Sequence, residues 1–230
     1  ADFMVPLAFG SQTAASLIRP AAYCGVCAFK PTTGIFDLTG VMRLSSSLDT
    51  LGVLARDPRD LILARAVLLG QDVPAEPKFS DILPRISLMR GPHWTDGSVE
   101  MRDACMRAMA CIAATGADSG EIAHPPTFGH LTQAQITVMG YETARARSAE
   151  YDEHRTRVSP QFADLIQTGR KVSDSSYAEA LALRDRANRM LDHLFADADA
   201  LLGEVDSQVS FLLFDRFHDG GEALLEVKGR

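Results

Sequence analysis

Short apolar runs alternate with helical patterns in the first half of the chain, and helical patterns dominate the second half. Turn residues bound four runs that predict strands, over residues 4–9, 23–30, 52–56 and 86–89. Asp57 and Ser98 predict the N-caps of two helices, which should reach about Leu69 and Thr115. Longer helical patterns cover residues 131–157 and 176–197. This alternation favours an α/β fold with helices packed on a sheet.

Composition disfavours several classes of partner. The 230 residues carry a net charge of -7 and include few lysines, which disfavours a nucleic-acid partner and an anionic lipid surface. No run of apolar residues is long enough for a transmembrane helix, so we expect no membrane partner. The 4 cysteines are too few for a disulfide framework, and no signal peptide is visible. We therefore expect a cytoplasmic protein.

Two patterns that could carry a metal or redox chemistry are weak in this sequence. The "CGVC" motif of Cys24 and Cys27 suits half a zinc site or a redox pair, but no second ligand pair accompanies it. Its position in a predicted strand favours two small core cysteines. The 6 histidines form no HExxH pattern, and no GxSxG elbow supplies a partner serine, although a Ser–His–Asp triad could still assemble in space. We expect neither a metal nor a cofactor.

The stretch "GSQTAAS", residues 10–16, surrounds Ser16 with small residues and hydroxyls. A nucleophilic serine needs a tight turn, nearby backbone N–H groups for a developing oxyanion, and small neighbours that let the substrate approach. Thr13, Ala14 and Ala15 meet these needs. Many polar turns of small residues have no catalytic role, so the alternative is a simple connection between two elements.

The segments "GSQTAASLIRPAAYCGVCAFKPTTG" and "SSSLDTLGVLARDPRDL" resemble the amidase signature family. Its members carry a G-[ST]-[DQ]-T-G-G-S segment, a [FL]-K-P-T turn and an S-L-D segment in this order. The resemblance continues more weakly to "DADALL" and implies a partial amidase signature domain over residues 1–202, followed by an unaligned tail over 203–230. It also implies an α/β/α sandwich around a mixed β-sheet.

The resemblance implies amide hydrolysis by a Ser–cis-Ser–Lys mechanism, with Ser16 as the acylating serine. The backbone N–H groups around Thr13, Ala14 and Ala15 then match the oxyanion hole. Arg19, in "SLIRP", resembles the arginine with which malonamidase-like members bind a substrate carboxylate. We expect a small amide substrate, with a carboxylate if Arg19 has that role, and consider a homodimer. The alternative for Arg19 is a structural salt bridge under the turn.

Three departures from the family pattern limit these implications. The family's catalytic lysine and bridging serine precede the segment that matches Ala1, and Lys30 belongs to the KPT turn. Ala14 and Ala15 replace a glycine pair, and the tail over 203–230 follows no family pattern. We therefore expect these 230 residues alone to be inactive or nearly so. The alternatives are a catalytically dead, truncated remnant and an amidotransferase A-type subunit that acts on glutamine and charged tRNA, which the acidic balance disfavours.

Overall fold

The computed structural model describes residues 4–73, 83–204, 211–217 and 221–226. The chain divides into two compact units. The sheet unit comprises Ala1–Leu38, Thr50–His124 and His193–Arg230, and the helical unit comprises Thr39–Asp49 and Pro125–Asp192.

The sheet unit contains a mixed eight-stranded sheet, which agrees with the predicted α/β class. The strands are β1 (Leu7–Gln12), β2 (Cys27–Pro31), β3 (Thr50–Ala55), β4 (Ile86–Arg90), β5 (Ser119–Ala123), β6 (Ala200–Glu204), β7 (Phe211–Phe217) and β8 (Gly221–Glu226). Their order across the sheet is β1-β3-β2-β8-β7-β6-β4-β5. β4 pairs in parallel with β5 and β6, and the other pairs are antiparallel.

The described part of the sheet unit includes the α-helices α1 (Ile18–Cys24), α2 (Pro58–Leu68) and α3 (Val99–Ala114). The two predicted caps are confirmed, because Asp57 accepts a hydrogen bond from the backbone N–H of Arg59 and Ser98 accepts one from that of Met101. The predicted strands at 52–56 and 86–89 are also confirmed, as β3 and β4.

The predicted strand at 23–30 is wrong in its first part, where the chain is helical. α1 ends at Cys24, and Gly25 adopts a left-handed conformation with φ 60°. The backbone N–H of Val26 bonds to the carbonyl of Ala21, and that of Gly25 bonds to the carbonyl of Ala22. These two bonds form a Schellman cap, which ends the helix before β2 begins at Cys27.

The predicted strand at 4–9 is displaced toward the C-terminus, because β1 covers Leu7–Gln12. β1 pairs with β3 along its whole length, from Leu7 opposite Ala55 to Gln12 opposite Thr50. Met4 and Val5 lie outside this ladder and are exposed. The connection between β1 and α1 is consequently only five residues long, from Thr13 to Leu17.

The helical unit contains α4 (Leu131–Ala146), α5 (Ser148–Glu153), α6 (Pro160–Gly169) and most of α7 (Asp174–Leu194). α4 and α6 approach closely at two glycines. A Cβ atom on Gly169 would lie 1.9 Å from the carbonyl oxygen of Gly140, so this crossing excludes any larger residue at position 169. The helical pattern predicted over residues 131–157 is confirmed by α4 and α5, and the one over 176–197 by α7.

A buried carboxylate joins α4, α7 and the loop Thr39–Asp49 within the helical unit. Glu142 Oε2 accepts hydrogen bonds from Ser45 Oγ at 2.6 Å and the Ser47 backbone N–H at 3.0 Å. Glu142 Oε1 accepts one from Tyr177 Oη at 2.6 Å. Burial raises the pKa of Glu142, but the bonds from Ser45, Ser47 and Tyr177 outweigh it and leave this pKa below its ordinary value.

The predicted boundary between residues 202 and 203 falls inside β6, and the segment after it contributes β7 and β8. The rest of the predicted tail, at 205–210, 218–220 and 227–230, lies outside the described residues. Within the described part of the chain, no helix is both long and apolar enough to span a membrane.

Candidate active site

Ser16 lies in the connection between β1 and α1 and is exposed. The residues that follow it are buried, since Leu17 and Ile18 are each 1% exposed. The first helical hydrogen bond in this region runs from the backbone N–H of Arg19 to the carbonyl of Ala15, at 3.0 Å. Ser16 therefore stands at the beginning of a helical turn whose next residues belong to the core.

Gln12, the last residue of β1, holds the backbone that follows Ser16. Its Oε1 accepts hydrogen bonds from the backbone N–H groups of Leu17 at 3.1 Å and Ile18 at 3.0 Å. The Gln12 side chain is itself buried. Because both partners are donors, the acceptor must be the amide oxygen, which fixes the orientation of the Gln12 side chain.

The Leu17 side chain packs over two glycines that face each other across the β1–β3 ladder, Gly10 and Gly52. A Cβ atom on Gly10 would lie 2.7 Å from Leu17 Cδ1. One on Gly52 would lie 2.1 Å from Leu17 Cδ2 and 2.5 Å from the carbonyl oxygen of Phe29. The missing side chains of Gly10 and Gly52 thus make the space that Leu17 fills, here called the glycine notch.

The three residues predicted for the oxyanion hole lie between Gln12 and Ser16. Thr13 and Ala15 are half-buried, and Ala14 is exposed. The Ala15 carbonyl is used by the first turn of the helix, whereas the oxyanion hole would require the N–H groups of this segment. The role of Thr13, Ala14 and Ala15 remains a prediction.

Arg19 is the second residue of α1 and is exposed. Residues three apart in a helical turn lie on the same side of it, so this turn brings positions 16 and 19 to one face. That spacing is compatible with a substrate that touches both side chains. The carboxylate-binding role of Arg19 also remains a prediction.

Lys30 and the two cysteines of the "CGVC" motif lie in regular secondary structure. Lys30 lies in β2, and its Nζ donates a hydrogen bond to the Pro31 carbonyl at 2.8 Å. Cys24 ends α1 and is exposed, while Cys27 begins β2 and is buried, so placing both cysteines in a core strand was wrong for Cys24. The described residues contain no group of three or more His, Cys, Asp or Glu that could hold a metal ion.

Sequence reasoning missed the residues that support Ser16. Gln12 occupies the [DQ] position of the family segment, which was the available signal, but its target lies five and six residues further along the chain. Gly10 and Gly52 looked like turn or strand glycines, and only the pairing of β1 with β3 brings them opposite each other. Leu17 looked like any apolar residue after a turn.

Similar proteins include a deaminase and a subunit of a tRNA-dependent amidotransferase. A 2-amino-5-chloromuconic acid deaminase of Comamonas testosteroni is 31% identical over 205 residues, covering 85% of this chain and 43% of the relative. The A-type subunit of a glutamyl-tRNA(Gln) amidotransferase from Thermus thermophilus is 30% identical over 231 residues, covering 88% and 48%. The chain therefore spans less than half the length of these two relatives.

Solved structures share the fold. A crystal structure of an amidase superposes with a TM-score of 0.79 at 23% identity, covering 97% of this chain and 58% of the other. A 6-aminohexanoate cyclic dimer hydrolase in complex with its substrate superposes with a TM-score of 0.74 at 16% identity, covering 98% and 61%. These likenesses agree with the predicted fold class. The Amidase family profile matches residues 1–213, and the chain belongs to this family of amide carbon–nitrogen hydrolases.

Proposed function

We propose that this chain carries the acylating nucleophile of an amidase, and that the nucleophile is Ser16. The observation that carries the proposal is the placement of an exposed serine on a turn whose following residues are buried and hydrogen-bonded. A reactive serine needs this combination, because its hydroxyl must meet the substrate while its backbone stays fixed.

The proposed reaction proceeds through an acyl-enzyme. Ser16 Oγ attacks the amide carbonyl carbon while its proton passes to a base. The resulting oxyanion accepts hydrogen bonds from backbone N–H groups of the segment Thr13 to Ala15. The C–N bond breaks as the amine or ammonia takes up a proton, and water then hydrolyses the ester on Ser16. The base is the lysine of the family's Ser–cis-Ser–Lys triad, which no residue of this chain matches by motif.

Acylation by a fluorophosphonate tests the nucleophile. We expect the 230 residues alone to react extremely slowly, because a hydroxyl without a base is a weak nucleophile. Preceded by a family segment that carries the lysine and bridging serine, the chain should react faster by roughly 10³-fold or more. Ser16→Ala should abolish this labelling, and Ser11→Ala should not. Ser11 is a suitable control, because it is an exposed serine on neighbouring β1. Labelling that survives Ser16→Ala would refute the proposal.

The proposed substrate class rests on Arg19. A guanidinium at this position could pair with a substrate carboxylate and hold the amide over Ser16. The 31%-identical relative is named as a deaminase of an acid, which supports a carboxylate-bearing substrate. Arg19→Ala should lower kcat/KM for malonamate-like amides, and the loss of transition-state stabilisation calculated from it should be about 2–4 kcal/mol. The loss for neutral amides should be much smaller. Equal losses for both kinds of amide would assign Arg19 to the turn instead.

A second candidate is an amidotransferase A-type subunit, which the 30%-identical Thermus relative favours. Its signature would be ammonia release from glutamine that depends on a charged tRNA. Hydrolysis of small carboxylate-bearing amides without glutamine or tRNA would favour the amidase proposal over this one. The negative net charge of the chain disfavours the tRNA-dependent reaction.

A further inference from the structure

We infer that Gln12 is a positioning residue for Ser16, acting together with Leu17 through the backbone that follows the serine. This inference rests on the proposed function, since it concerns how the proposed nucleophile is held. The Gln12 amide oxygen supplies a polar attachment and the glycine notch supplies an apolar one. Neither residue needs to touch the substrate.

The polar attachment replaces hydrogen bonds that the helix cannot make. The first N–H groups of a helix have no partner within it, and here the first helical donor is Arg19. The N–H groups of Leu17 and Ile18 precede it and belong to residues that are 1% exposed, which makes water a poor substitute. Gln12 Oε1 accepts from both groups and so ties the end of β1 to the start of α1.

The apolar attachment fixes the same backbone from the side of the sheet. Leu17 is fully buried over Gly10 and Gly52, and a Cβ atom at either glycine would overlap its methyl groups. The peptide that joins Ser16 to Leu17 is therefore held by a hydrogen bond at its N–H and by the packing of the next side chain. Rotation about the backbone at Ser16 would have to break both attachments.

This arrangement predicts a role in reaction geometry. A displacement of about 1 Å in a reacting group can lower the rate of a reaction by about 10²-fold. Gln12 holds the serine backbone without placing a charge beside it, so its removal should loosen Ser16 without altering the charge at the site. The expected signature is local motion at residues 16–18 that exceeds any change elsewhere in the sheet unit.

Backbone NMR on the 230-residue chain tests the inference. In the unmodified chain we expect an order parameter of about 0.85 at the Ser16 amide, falling below about 0.6 in Gln12→Leu. The Leu17 and Ile18 amides should exchange with solvent about 100-fold faster in that variant, because leucine fills the space without offering an acceptor. Gln12→Glu retains an acceptor and should restore protection to within about threefold of the unmodified chain.

Gln71→Leu provides the matched control. Gln71 Oε1 also accepts a side-chain hydrogen bond, from Arg65 at 3.1 Å, but on an exposed surface after α2. Its replacement should leave the Ser16 order parameter and the exchange of Leu17 and Ile18 unchanged. An effect of Gln71→Leu equal to that of Gln12→Leu would show that the loosening is not specific and would overturn the inference.

Two further outcomes would overturn it. The first is an unchanged Ser16 order parameter in a folded Gln12→Leu variant. The second is rapid exchange of Leu17 and Ile18 in the unmodified chain, which remains decisive even if Gln12→Leu does not fold. Failure of fluorophosphonate labelling at Ser16 in the chain preceded by the family segment with the lysine and bridging serine would instead refute the proposed function and leave the amide results standing. Normal labelling combined with unchanged order parameters would remove only the positioning role.

Discussion

The turn at Ser16 in the sheet unit and the loop Thr39–Asp49 in the helical unit each depend on a buried acceptor side chain from outside the turn or loop. Gln12 holds the turn with a neutral amide oxygen that takes two backbone donors. Glu142 holds the loop with a carboxylate that accepts hydrogen bonds from Ser45, Ser47 and Tyr177. Hydrogen bonds to a carboxylate are the stronger kind, but they depend on its ionisation. The proposed reactive turn is thus fixed by a group that does not titrate, whereas the helical unit relies on one that does.

The glycines of the two units differ in a related way. Gly10 makes room for side chains, above all that of Leu17, which can rotate to relieve part of an overlap, whereas Gly52 also faces the backbone carbonyl of Phe29. Gly169 makes room for the backbone of Gly140 where α4 and α6 cross, and helix backbones cannot move separately from their helices. A glycine that faces backbone should therefore be harder to replace than one that faces only a side chain.

The largest effect should come from Gly169→Ala in the helical unit. Its Cβ atom would overlap the backbone of Gly140, so we expect the free energy of unfolding to fall by at least about 3 kcal/mol. Urea unfolding followed by circular dichroism measures the loss. Gly129→Ala in the same unit is the control, because a Cβ atom there meets nothing within 4 Å. Similar losses for both variants would show that the crossing of α4 and α6 can open at little cost.

Glu142→Leu should have the next largest effect. Three donors lose their acceptor in a buried place, so we expect a loss of about 3 kcal/mol. Glu153→Leu serves as the control, because Glu153 is an exposed carboxylate at the end of α5. Urea unfolding again provides the measurement. A Glu142→Leu variant as stable as the control would mean that the hydrogen bonds to Glu142 contribute nothing net.

The two halves of the glycine notch should differ from each other. In Gly52→Ala the new Cβ atom meets both Leu17 and the fixed carbonyl of Phe29, and we expect a loss of about 2 kcal/mol. In Gly10→Ala its closest contact is the flexible end of Leu17, and we expect about 1 kcal/mol or less. Thermal or urea unfolding of the two variants shows which one is less stable. The reverse order would show that the Phe29 backbone yields more easily than the Leu17 side chain.

The smallest expected effect is a pH dependence of the free energy of unfolding. Glu142 should contribute to it and Gln12 should not. The pKa of Glu142 is lower in the folded chain than its ordinary value, so the unfolded chain binds the proton more readily. The stabilisation is complete above the unfolded pKa of about 4.3 and is lost as pH falls through the folded pKa. Glu142→Gln should therefore lose less stability on acidification than the unmodified chain. The difference between the unmodified chain and Gln12→Leu should stay constant over the same range, and a slope there would contradict the comparison.

Burial also affects the stability of the helical unit at alkaline pH. Desolvation, followed by the hydrogen bond to Glu142 and its charge, raises the pKa of Tyr177 to about 12. The neutral phenol is therefore favoured in the folded chain, and its contribution is lost as pH rises from about 10 toward 12. The Glu142–Tyr177 hydrogen bond is accordingly most stable between these acidic and alkaline limits.

Local signals in the sequence predicted much of the fold. Asp57 and Ser98 fixed the starts of α2 and α3, because a cap depends only on the next two or three residues. The strand over 23–30 failed because its run is too short to show a period, and Ala, Tyr and Cys suit either a helix or a strand. The helix is favoured there by the burial of Leu17 and Ile18 at its start and by the left-handed Gly25 after it.

The sequence pointed to residues for the candidate site, whose roles remain predictions, but gave no sign of the contacts that support them. The family segment identified Ser16, and its proposed neighbours Thr13, Ala14, Ala15 and Arg19, as the residues to examine. The support depends on contacts that only the folded chain creates, such as the reach of Gln12 across the turn. The same holds for the glycine notch, which joins residues 42 positions apart in the sequence, from Gly10 to Gly52.

The glycine notch also makes strand pairing and serine placement a single event during folding. A strand paired one residue out of register turns every side chain to the opposite face of its sheet. With β1 displaced in this way, Phe9 or Ser11 would stand opposite Gly52, and the space for Leu17 would no longer exist. Leu17 would then remain in water at a cost of about 2 kcal/mol. Leu17 can therefore be buried only when β1 and β3 pair in the correct register. We expect molecules with a shifted register to have a displaced Ser16 as well.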